Sequence, residues 1–241
     1  MSRKYILVHG AWQGKWAWEV LAERLRAEGN EVSCFDLPGS GDDLTPSGQV
    51  TLNSCAERII QKTRELSTAG DVILVGHSLG GAAVTQAASA APELYCRVVY
   101  ICAFLPVDDE SVLQLSQKSV QLGTGGPVTH IDMDAGVVTL DVSHIPSTFF
   151  NDGNYVDYHH LIKKFRPQAI GPLVTPVKVS ESFNSLKKSY VICTLDKAVS
   201  PDLQRIMAER SRVEDLYEIN SGHEPFITAC ARLSEILNFL P

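Results

Sequence analysis

The sequence lacks concentrated positive charge and any long hydrophobic run. Its 241 residues carry 21 Lys and Arg against 28 Asp and Glu, a formal net charge of −7, and no basic run exceeds two residues. Nucleic acids and anionic membranes bind clustered positive charge, so neither is expected as a partner. A transmembrane helix needs about 18 consecutive apolar residues, and no stretch approaches that length.

Cysteine is sparse and unpatterned. There is no CxxC pair, which argues against a zinc knuckle or a thioredoxin-like motif. Most cysteines stand within apolar runs and are expected to be reduced, small hydrophobic side chains. The N-terminal apolar run Tyr5–Val8 is too short for the core of a signal peptide, so a cytoplasmic location is expected. The six cysteines are Cys34, Cys55, Cys96, Cys102, Cys193 and Cys230.

The composition is that of an ordinary globular chain. It is 44% hydrophobic, 20% charged and 7% aromatic, which argues against disordered, collagen-like and coiled-coil classes. A chain of this length can bury a large core within one domain, and we expect a single domain over residues 1–241.

Short apolar runs alternate with amphipathic segments along the chain, which predicts a six-stranded, mostly parallel, doubly wound α/β sheet whose strands are buried on both faces. The predicted strands are Tyr5–Val8, Val32–Phe35, Val72–Val75, Arg97–Ala103, Tyr190–Leu195 and Leu216–Ile219. The predicted helices are Trp16–Ala27, Leu52–Leu66, Gly80–Ala90, Pro201–Arg210 and Phe226–Leu240.

Residues 107–187 break this alternation. They contain the glycine-rich segment Gly123–Pro127, several further prolines and an aromatic cluster, with no strand-like run comparable to the others. An insertion after the strand that ends near Ala103 is expected to lie over the C-terminal edge of the sheet, where ligands bind in α/β folds. We therefore predict a cap at 107–187 on a core formed by 1–106 and 188–241.

The segment Gly76-His77-Ser78-Leu79-Gly80 carries the GxSxG pattern of a nucleophile elbow. It follows the apolar strand Val72–Val75 and opens a helix-like run, which is the context that the motif requires. The flanking glycines suit a turn too tight for side chains, and the serine is expected in a strained conformation. Ser78 is the predicted nucleophile, against the alternative of a glycine-rich turn whose serine caps a helix.

A serine hydroxyl needs a base to become nucleophilic, so a histidine must follow in the chain. His223 lies just after the last predicted strand and before the final helix, where a loop brings it to the sheet edge. The histidines of the cap are expected at the surface or in packing, with a substrate contact left open; they are His130, His144, His159 and His160.

A carboxylate must hold that histidine in the correct tautomer. Asp196 ends the strand Tyr190–Leu195 and begins a loop into the next helix, so it is the predicted partner. Asp108 and Asp109, which follow the strand ending near Ala103, are the rivals.

Two main-chain amides are expected to stabilise an oxyanion. One belongs to Leu79, the residue after the nucleophile, and the second to Ala11 in the loop after the first strand. Gly10 would leave space for a substrate carbonyl, whereas His9 is expected to shape this loop structurally.

Several motifs occur in order outside the cap: His9–Trp18, Asp36–Gly41, the elbow, Cys102–Pro106, Cys193–Lys197 and Ser221–His223. Together they resemble the α/β-hydrolase superfamily, within the branch of plant methylesterases, hydroxynitrile lyases and small bacterial carboxylesterases. The resemblance implies an α/β-hydrolase fold with a Ser-His-Asp triad, an acyl-enzyme mechanism and no metal or organic cofactor.

Two positions separate esterases from lyases within that branch. The lyases carry threonine where this chain has Gly10 and lysine where it has Glu224, and a Glu224 carboxylate would repel the departing cyanide. A serine carboxylesterase for small to medium hydrophobic esters is therefore expected, and Glu224→Ala should retain much of its activity. The alternatives are a hydroxynitrile lyase, a cofactor-free dioxygenase and a non-enzymatic small-molecule receptor.

The substrate pocket is expected between the sheet edge and the cap. Trp12, Phe149 and Phe150 are the predicted substrate contacts, and Tyr155 and Tyr158 are further candidates, although aromatic residues of a small cap more often form its core. The sequence leaves the oligomeric state open, with a homodimer among the states it allows.

Overall fold

The computed structural model describes residues 2–153 and 158–241. Its strands are β1 (Lys4–Val8), β2 (Glu31–Cys34), β3 (Val72–His77), β4 (Tyr95–Ile101), β5 (Thr129–Asp132), β6 (Val137–Leu140), β7 (Gln168–Ala169), β8 (Lys187–Cys193) and β9 (Asp215–Ile219). The main sheet has six strands in the order β2-β1-β3-β4-β8-β9. All its neighbouring pairs are parallel.

All six predicted sheet strands are confirmed, with ends that differ by a few residues. Burial on both faces is confirmed for the four inner strands. It is wrong for the two edge strands, because β2 is at most half-buried and β9 alternates between half-buried and exposed positions.

The helices are α1 (Glu19–Ala27), α2 (Leu52–Leu66), α3 (Gly80–Ala90), α4 (Val112–Ser119), α5 (Ile145–Phe149), α6 (His159–Ile162), α7 (Gly171–Val174), α8 (Glu181–Asn184), α9 (Pro201–Arg210), α10 (Pro225–Thr228) and α11 (Cys230–Asn238). Short 3₁₀ helices cover Lys15–Trp18, Ser47–Gln49, Pro92–Leu94 and Val142–His144. Among the described residues, no helix combines the length and apolarity needed to cross a membrane.

The predicted helices at α2, α3 and α9 are confirmed, while two others are divided. The segment predicted to be helical from Trp16 begins as a 3₁₀ turn before α1, and the final segment is split into α10 and α11. The split falls at Ala229, whose φ of −132° and ψ of 31° leave the helical conformation.

Two hydrophobic clusters cover the two faces of the main sheet. Alternate side chains of a strand point to opposite faces, so Ile6 and Val8 of β1 join the cluster with α2 and α3. Tyr5 and Leu7 join the cluster with α1 and α11. The sheet is thus covered by helices on both faces, as the doubly wound prediction requires.

The chain between β4 and β8 forms a second, antiparallel sheet in the order β5-β6-β7, together with α4 to α8. It lies over the loops that follow the first strands. Trp12 Nε1 donates to the Val138 carbonyl oxygen at 2.8 Å, and Ser47 Oγ donates to the Ala135 carbonyl oxygen at 2.6 Å. The boundaries of the cap at 107 and 187 stay a prediction.

Candidate active site

Ser78 stands in the turn between β3 and α3 with a φ of 50°. This left-handed conformation is unfavourable for a non-glycine residue and must be imposed by the surrounding fold. A side chain at Gly80 would lie 2.6 Å from the His9 carbonyl oxygen, and one at Gly76 would lie 2.8 Å from Val84 Cγ2. The glycines therefore allow β1 and α3 to approach closely enough to fix the turn.

Asp196 and His223 form a fully buried pair at the ends of neighbouring strands, β8 and β9. His223 Nδ1 donates to Asp196 Oδ2 at 2.8 Å. The same oxygen accepts from Gln204 Nε2 at 2.9 Å, and Oδ1 accepts from the amides of Ala198 and Val199. With Nδ1 committed to Asp196, Nε2 is the ring nitrogen left to accept a proton. It is buried and has no partner in the part of the chain that the structure describes.

Ser78 and His223 line one cavity of about 150 Å³. The remainder of its wall is mostly apolar and comes from both the core and the cap, with Leu79 and Phe104 on one side and Val138 and Phe149 on the other. A hydroxyl and an unpartnered imidazole nitrogen on the wall of one apolar cavity are the two kinds of group that general-base catalysis requires.

Ala11 and Leu79 also line this cavity, on the loop after β1 and at the beginning of α3. Within residues 2–153 and 158–241, neither main-chain amide donates to another protein group. Their assignment to an oxyanion hole stays a prediction, with which two free amides on the same cavity as Ser78 are consistent.

Gly10 is not among the residues that line the cavity, and its role as a substrate contact stays a prediction. A Cβ at this position would lie 2.8 Å from Ser78 Cβ, 2.9 Å from His77 Nδ1 and 3.2 Å from Gln13 Oε1. Glycine is therefore needed so that the β1 loop can pack against the elbow. A threonine cannot occupy this position without displacing its neighbours.

The predicted aromatic contacts divide between the cavity and the cap. Trp12 and Phe149 line the cavity, and their rings meet edge to face at 6.2 Å. Phe150 is not on the cavity wall, and its role as a substrate contact stays a prediction. It is fully buried in the cap cluster, where its ring stacks on Tyr158 at 5.0 Å. Tyr155 lies outside the described residues.

His9 is structural, as expected. Its Nδ1 donates to the Gly10 carbonyl oxygen at 2.8 Å, and its Nε2 accepts from the Leu37 amide at 3.1 Å. Burial lowers the pKa of His9. His77 donates from Nε2 to the His223 carbonyl oxygen, and burial, followed by the neighbouring His223, lowers its pKa well below the usual value. Both imidazoles therefore favour the neutral form.

The environment of Glu224 differs from the one that the sequence interpretation assumed. Its carboxyl group is fully buried and does not line the cavity. Burial raises its pKa well above the usual value against the opposing effect of the Gln13 hydrogen bond, and Asp196 and Asp152 add smaller contributions that raise it further. Because the carboxyl group is kept from the cavity and its pKa is raised, the structure gives no support to the expected repulsion of a departing cyanide. The steric argument at Gly10 replaces it.

The rival residues lie away from the buried pair. Asp108 accepts from the Val179 amide, and Asp109 forms an exposed ion pair with Lys178. The histidines of the cap are exposed, which confirms their surface assignment; they are His130, His144, His159 and His160.

Sequence reasoning missed several residues that support the site. Gln204 on α9 donates to both Asp196 Oδ2 and the Val199 carbonyl oxygen. In the sequence, Gln204 follows Pro201 by three residues and so lies in the first turn of the helix after the Asp196 loop. This position is the only sequence signal that could have indicated its contact with Asp196.

Two residues of the segment between β4 and β8 also hold the loops of the buried pair. Asn151 Nδ2 donates to the Leu195 carbonyl oxygen at 2.8 Å, and Asp152 Oδ2 accepts from Thr228 Oγ1 at 2.8 Å. The Thr228 hydroxyl lies 2.8 Å from Ser221 Oγ in the loop that carries His223. No local pattern signals these long-range contacts.

The described residues offer one group with the composition of a metal site, formed by His77, Cys102 and His223. The Cys102 thiol and His77 Nε2 both donate to the His223 carbonyl oxygen. Since Nδ1 of His223 is committed to Asp196, these groups form a hydrogen-bonded support for the loop, and we assign no metal to them.

Residues 5–236 match the family model described as the alpha/beta hydrolase family. The chain therefore belongs to that family. Two plant relatives cover nearly all of it. Methylesterase 9 of Arabidopsis thaliana is 27% identical over 258 residues, covering 99% of this chain and 100% of the relative. Salicylic acid-binding protein 2 of Nicotiana tabacum is 29% identical over 256 residues, covering 98% and 97%.

The crystal structure of polyneuridine aldehyde esterase has the same fold, with a TM-score of 0.86 and 21% identity over 99% of this chain and 98% of that one. The predicted α/β-hydrolase fold and the resemblance to the plant methylesterase branch are confirmed.

Proposed function

We propose that the protein is a serine carboxylesterase that hydrolyses small to medium hydrophobic esters. The observation that carries the proposal is the buried Asp196–His223 hydrogen bond, with the free Nε2 of that histidine on the wall of the cavity that also holds Ser78. The names of the plant methylesterases and of the esterase with the same fold support ester hydrolysis as the reaction.

The proposed mechanism is two-step acyl transfer. His223 Nε2 takes the Ser78 proton as Oγ attacks the ester carbonyl, and Asp196 stabilises the imidazolium that forms. The amides of Ala11 and Leu79 hold the oxyanion until the alcohol leaves with the proton from His223. Water activated by the same histidine then cleaves the acyl-enzyme. These steps require no metal or organic cofactor.

The cavity wall supports an uncharged substrate. His223 is its only residue with an ionisable side chain among the described lining, which otherwise consists of apolar and hydroxyl side chains. Since a cavity of about 150 Å³ can hold a molecule the size of benzene, acyl groups of a few carbons or one ring are expected to fit. A free carboxylate on the substrate would find no cation to pair with there.

No specific observation supports the lyase, dioxygenase or receptor alternatives. A lyase-type threonine is sterically disfavoured at Gly10. A receptor has no need for a free imidazole nitrogen beside a strained serine, and both features are present.

The test is a panel of p-nitrophenyl and methyl esters with acyl groups from acetyl to palmitoyl. Acetate and butyrate should be turned over faster than palmitate, and Ser78→Ala should abolish turnover. Ser89→Ala is the matched control, because the Ser89 hydroxyl on α3 has no partner in the described structure and lies outside the cavity. Absence of ester hydrolysis across the panel, or full activity of Ser78→Ala, would refute the proposal.

We also propose a cytoplasmic location, supported by six cysteines that are all unpaired. Several Arabidopsis thaliana relatives are described as chloroplastic, so fractionation should compare both compartments. Light scattering on the purified protein would test for a homodimer.

A further inference from the structure

Glu224 is a buried acid that the proposed mechanism does not use. It directly follows His223, its side chain is fully buried, and it does not reach the cavity wall. Burying a carboxyl group is costly unless its polar atoms are bonded. Among the described residues only Oε1 has a hydrogen-bond partner, while Oε2 is buried without one, so the partner of Oε1 indicates what the side chain does.

That partner is Gln13, in the loop after β1. Gln13 Nε2 donates to Glu224 Oε1 at 2.6 Å, and Gln13 Oε1 accepts from the Gly10 amide at 3.2 Å. Gln13 is itself buried. The two side chains thus join the loop after β9, which carries His223, to the loop after β1, which carries Ala11.

The Gly10 backbone is held on both sides. Its amide is bound by Gln13, and its carbonyl oxygen accepts from His9 Nδ1 at 2.8 Å. The Gly10 carbonyl and the Ala11 amide belong to one planar trans peptide unit, so fixing the carbonyl oxygen aims the Ala11 amide in the opposite direction. Gln13 holds the preceding His9–Gly10 peptide unit, so the two contacts together fix Gly10, from which the Ala11 amide extends.

We propose that Glu224 is a positioning residue for the oxyanion hole, acting through Gln13 and the Gly10 amide on the placement of the adjoining Ala11 amide. This inference rests on the proposed function, because Ala11 matters only if an oxyanion forms. It replaces the sequence-based expectation that Glu224→Ala retains much of the activity. The high pKa of the buried Glu224 supports the assignment, since a neutral carboxyl can remain buried against the Gln13 amide.

A purely structural role of Glu224 and a positioning role predict different effects of its substitution on kcat and KM. Loss of an amide aimed at the oxyanion lowers kcat and leaves ground-state binding nearly unchanged, so KM should move little. Complete removal of one such donor lowers kcat by about 10²–10³-fold. A displaced donor should cost less, so we expect a loss of about 10–100-fold.

The experiment compares Glu224→Met, Gln13→Met, the double variant and Glu224→Gln on p-nitrophenyl butyrate. Methionine keeps the length of the replaced side chains and removes their hydrogen bonds. Each single Met variant should lose about 10–100-fold in kcat with KM within about threefold, and the double variant should lose no more than the worse single one. Glu224→Gln keeps an oxygen for Gln13 and should recover most of the loss.

The matched control is Thr63→Val on α2, which removes another buried hydrogen-bond link, from the Thr63 hydroxyl to Ile59 and Tyr95, far from the cavity. It should lower the melting temperature without lowering kcat. A trifluoromethyl ketone gives a second readout, because it forms a tetrahedral oxyanion on the serine. Its inhibition constant should rise in parallel with the loss of kcat.

The inference is wrong if both Met variants keep kcat within threefold of the wild type, or if the loss falls on KM alone. If Glu224→Met does not fold, the kcat and KM of Gln13→Met decide whether the inference holds. A wild-type protein without esterase activity would instead refute the proposed function. An active wild type with an inactive Ser78→Ala and normal Met variants would refute only this inference.

Discussion

The steric demand at Gly10 makes the Gly10→Ala substitution a quantitative test of the site geometry. The added Cβ would lie 2.8 Å from Ser78 Cβ and 2.9 Å from His77 Nδ1, closer than such atoms pack, while both neighbours are buried. Overpacking of this kind costs roughly 1–3 kcal/mol. In a protein of this size, each kcal/mol lowers the melting temperature by about 2–4 °C, so a decrease of about 2–12 °C is expected.

The same substitution should lower activity more than stability alone explains. The β1 loop or Ser78 must shift by several tenths of an ångström, and a displacement near 1 Å can cost about 100-fold in rate. We expect kcat on p-nitrophenyl butyrate to fall by about 10–100-fold for Gly10→Ala, and further for Gly10→Thr, without release of cyanide from mandelonitrile above the buffer rate.

Gly48→Ala is the matched control, because no atom lies within 4 Å of a Cβ built at Gly48 and its φ is not in the left-handed region. Its melting temperature should stay within about 2 °C of the wild type, since surface substitutions usually change stability by less than 0.5 kcal/mol. If Gly10→Ala matched this control in both kcat and melting temperature, the close approach of the β1 loop to the elbow would be refuted.

Three further predictions concern the charged groups around the site. Asp196→Asn should lower kcat by about 10³–10⁴-fold with little change in KM, because an amide facing Nδ1 favours the wrong tautomer of His223; steady-state kinetics would check this, and a loss below tenfold would contradict it. Asp152→Ala should reduce the free energy of unfolding in urea by about 1.5–3 kcal/mol, because it leaves Thr228 without its carboxylate; an unchanged midpoint would rule this contact out. The pKa of Glu224 is raised in the folded state, so the folded protein retains a proton that the unfolded chain releases above about pH 4.5, and this group makes the protein less stable as the pH rises. The melting temperature of Glu224→Gln relative to the wild type should therefore increase between pH 5 and pH 8, whereas a constant difference would contradict the buried neutral carboxyl.

Local sequence patterns were sufficient for most of the core fold. The apolar runs at Val72 and Tyr190 identified inner strands because parallel strands covered on both faces are hydrophobic throughout. The amphipathic segment Leu52–Leu66 has the same bounds as α2, and the structure adds the Thr51 side chain that caps this helix by accepting from the Ser54 amide. The sequence did not indicate the division of the last predicted helix, because no proline or glycine marks the break at Ala229.

Motif spacing predicted the reacting residues better than it predicted the residues that surround them. Ser78, Asp196 and His223 each follow a predicted strand, and the ends of parallel strands meet at one edge of the sheet, so their convergence could be inferred. The aromatic residues of the cap could not be sorted in this way. Phe149 and Phe150 are adjacent and chemically identical, yet only the first lines the cavity.

The sequence by itself determined the order of strands and helices, the strained serine turn and the residue types available for acyl transfer, because these depend on local periodicity and backbone sterics. The tertiary structure alone decided the burial of Glu224, its bond to Gln13 and the packing role of Gly10. Each of these depends on atoms contributed by segments far apart in the chain. Burial and close contact between such segments set both pKa values and steric limits, and neither leaves a local trace in the sequence.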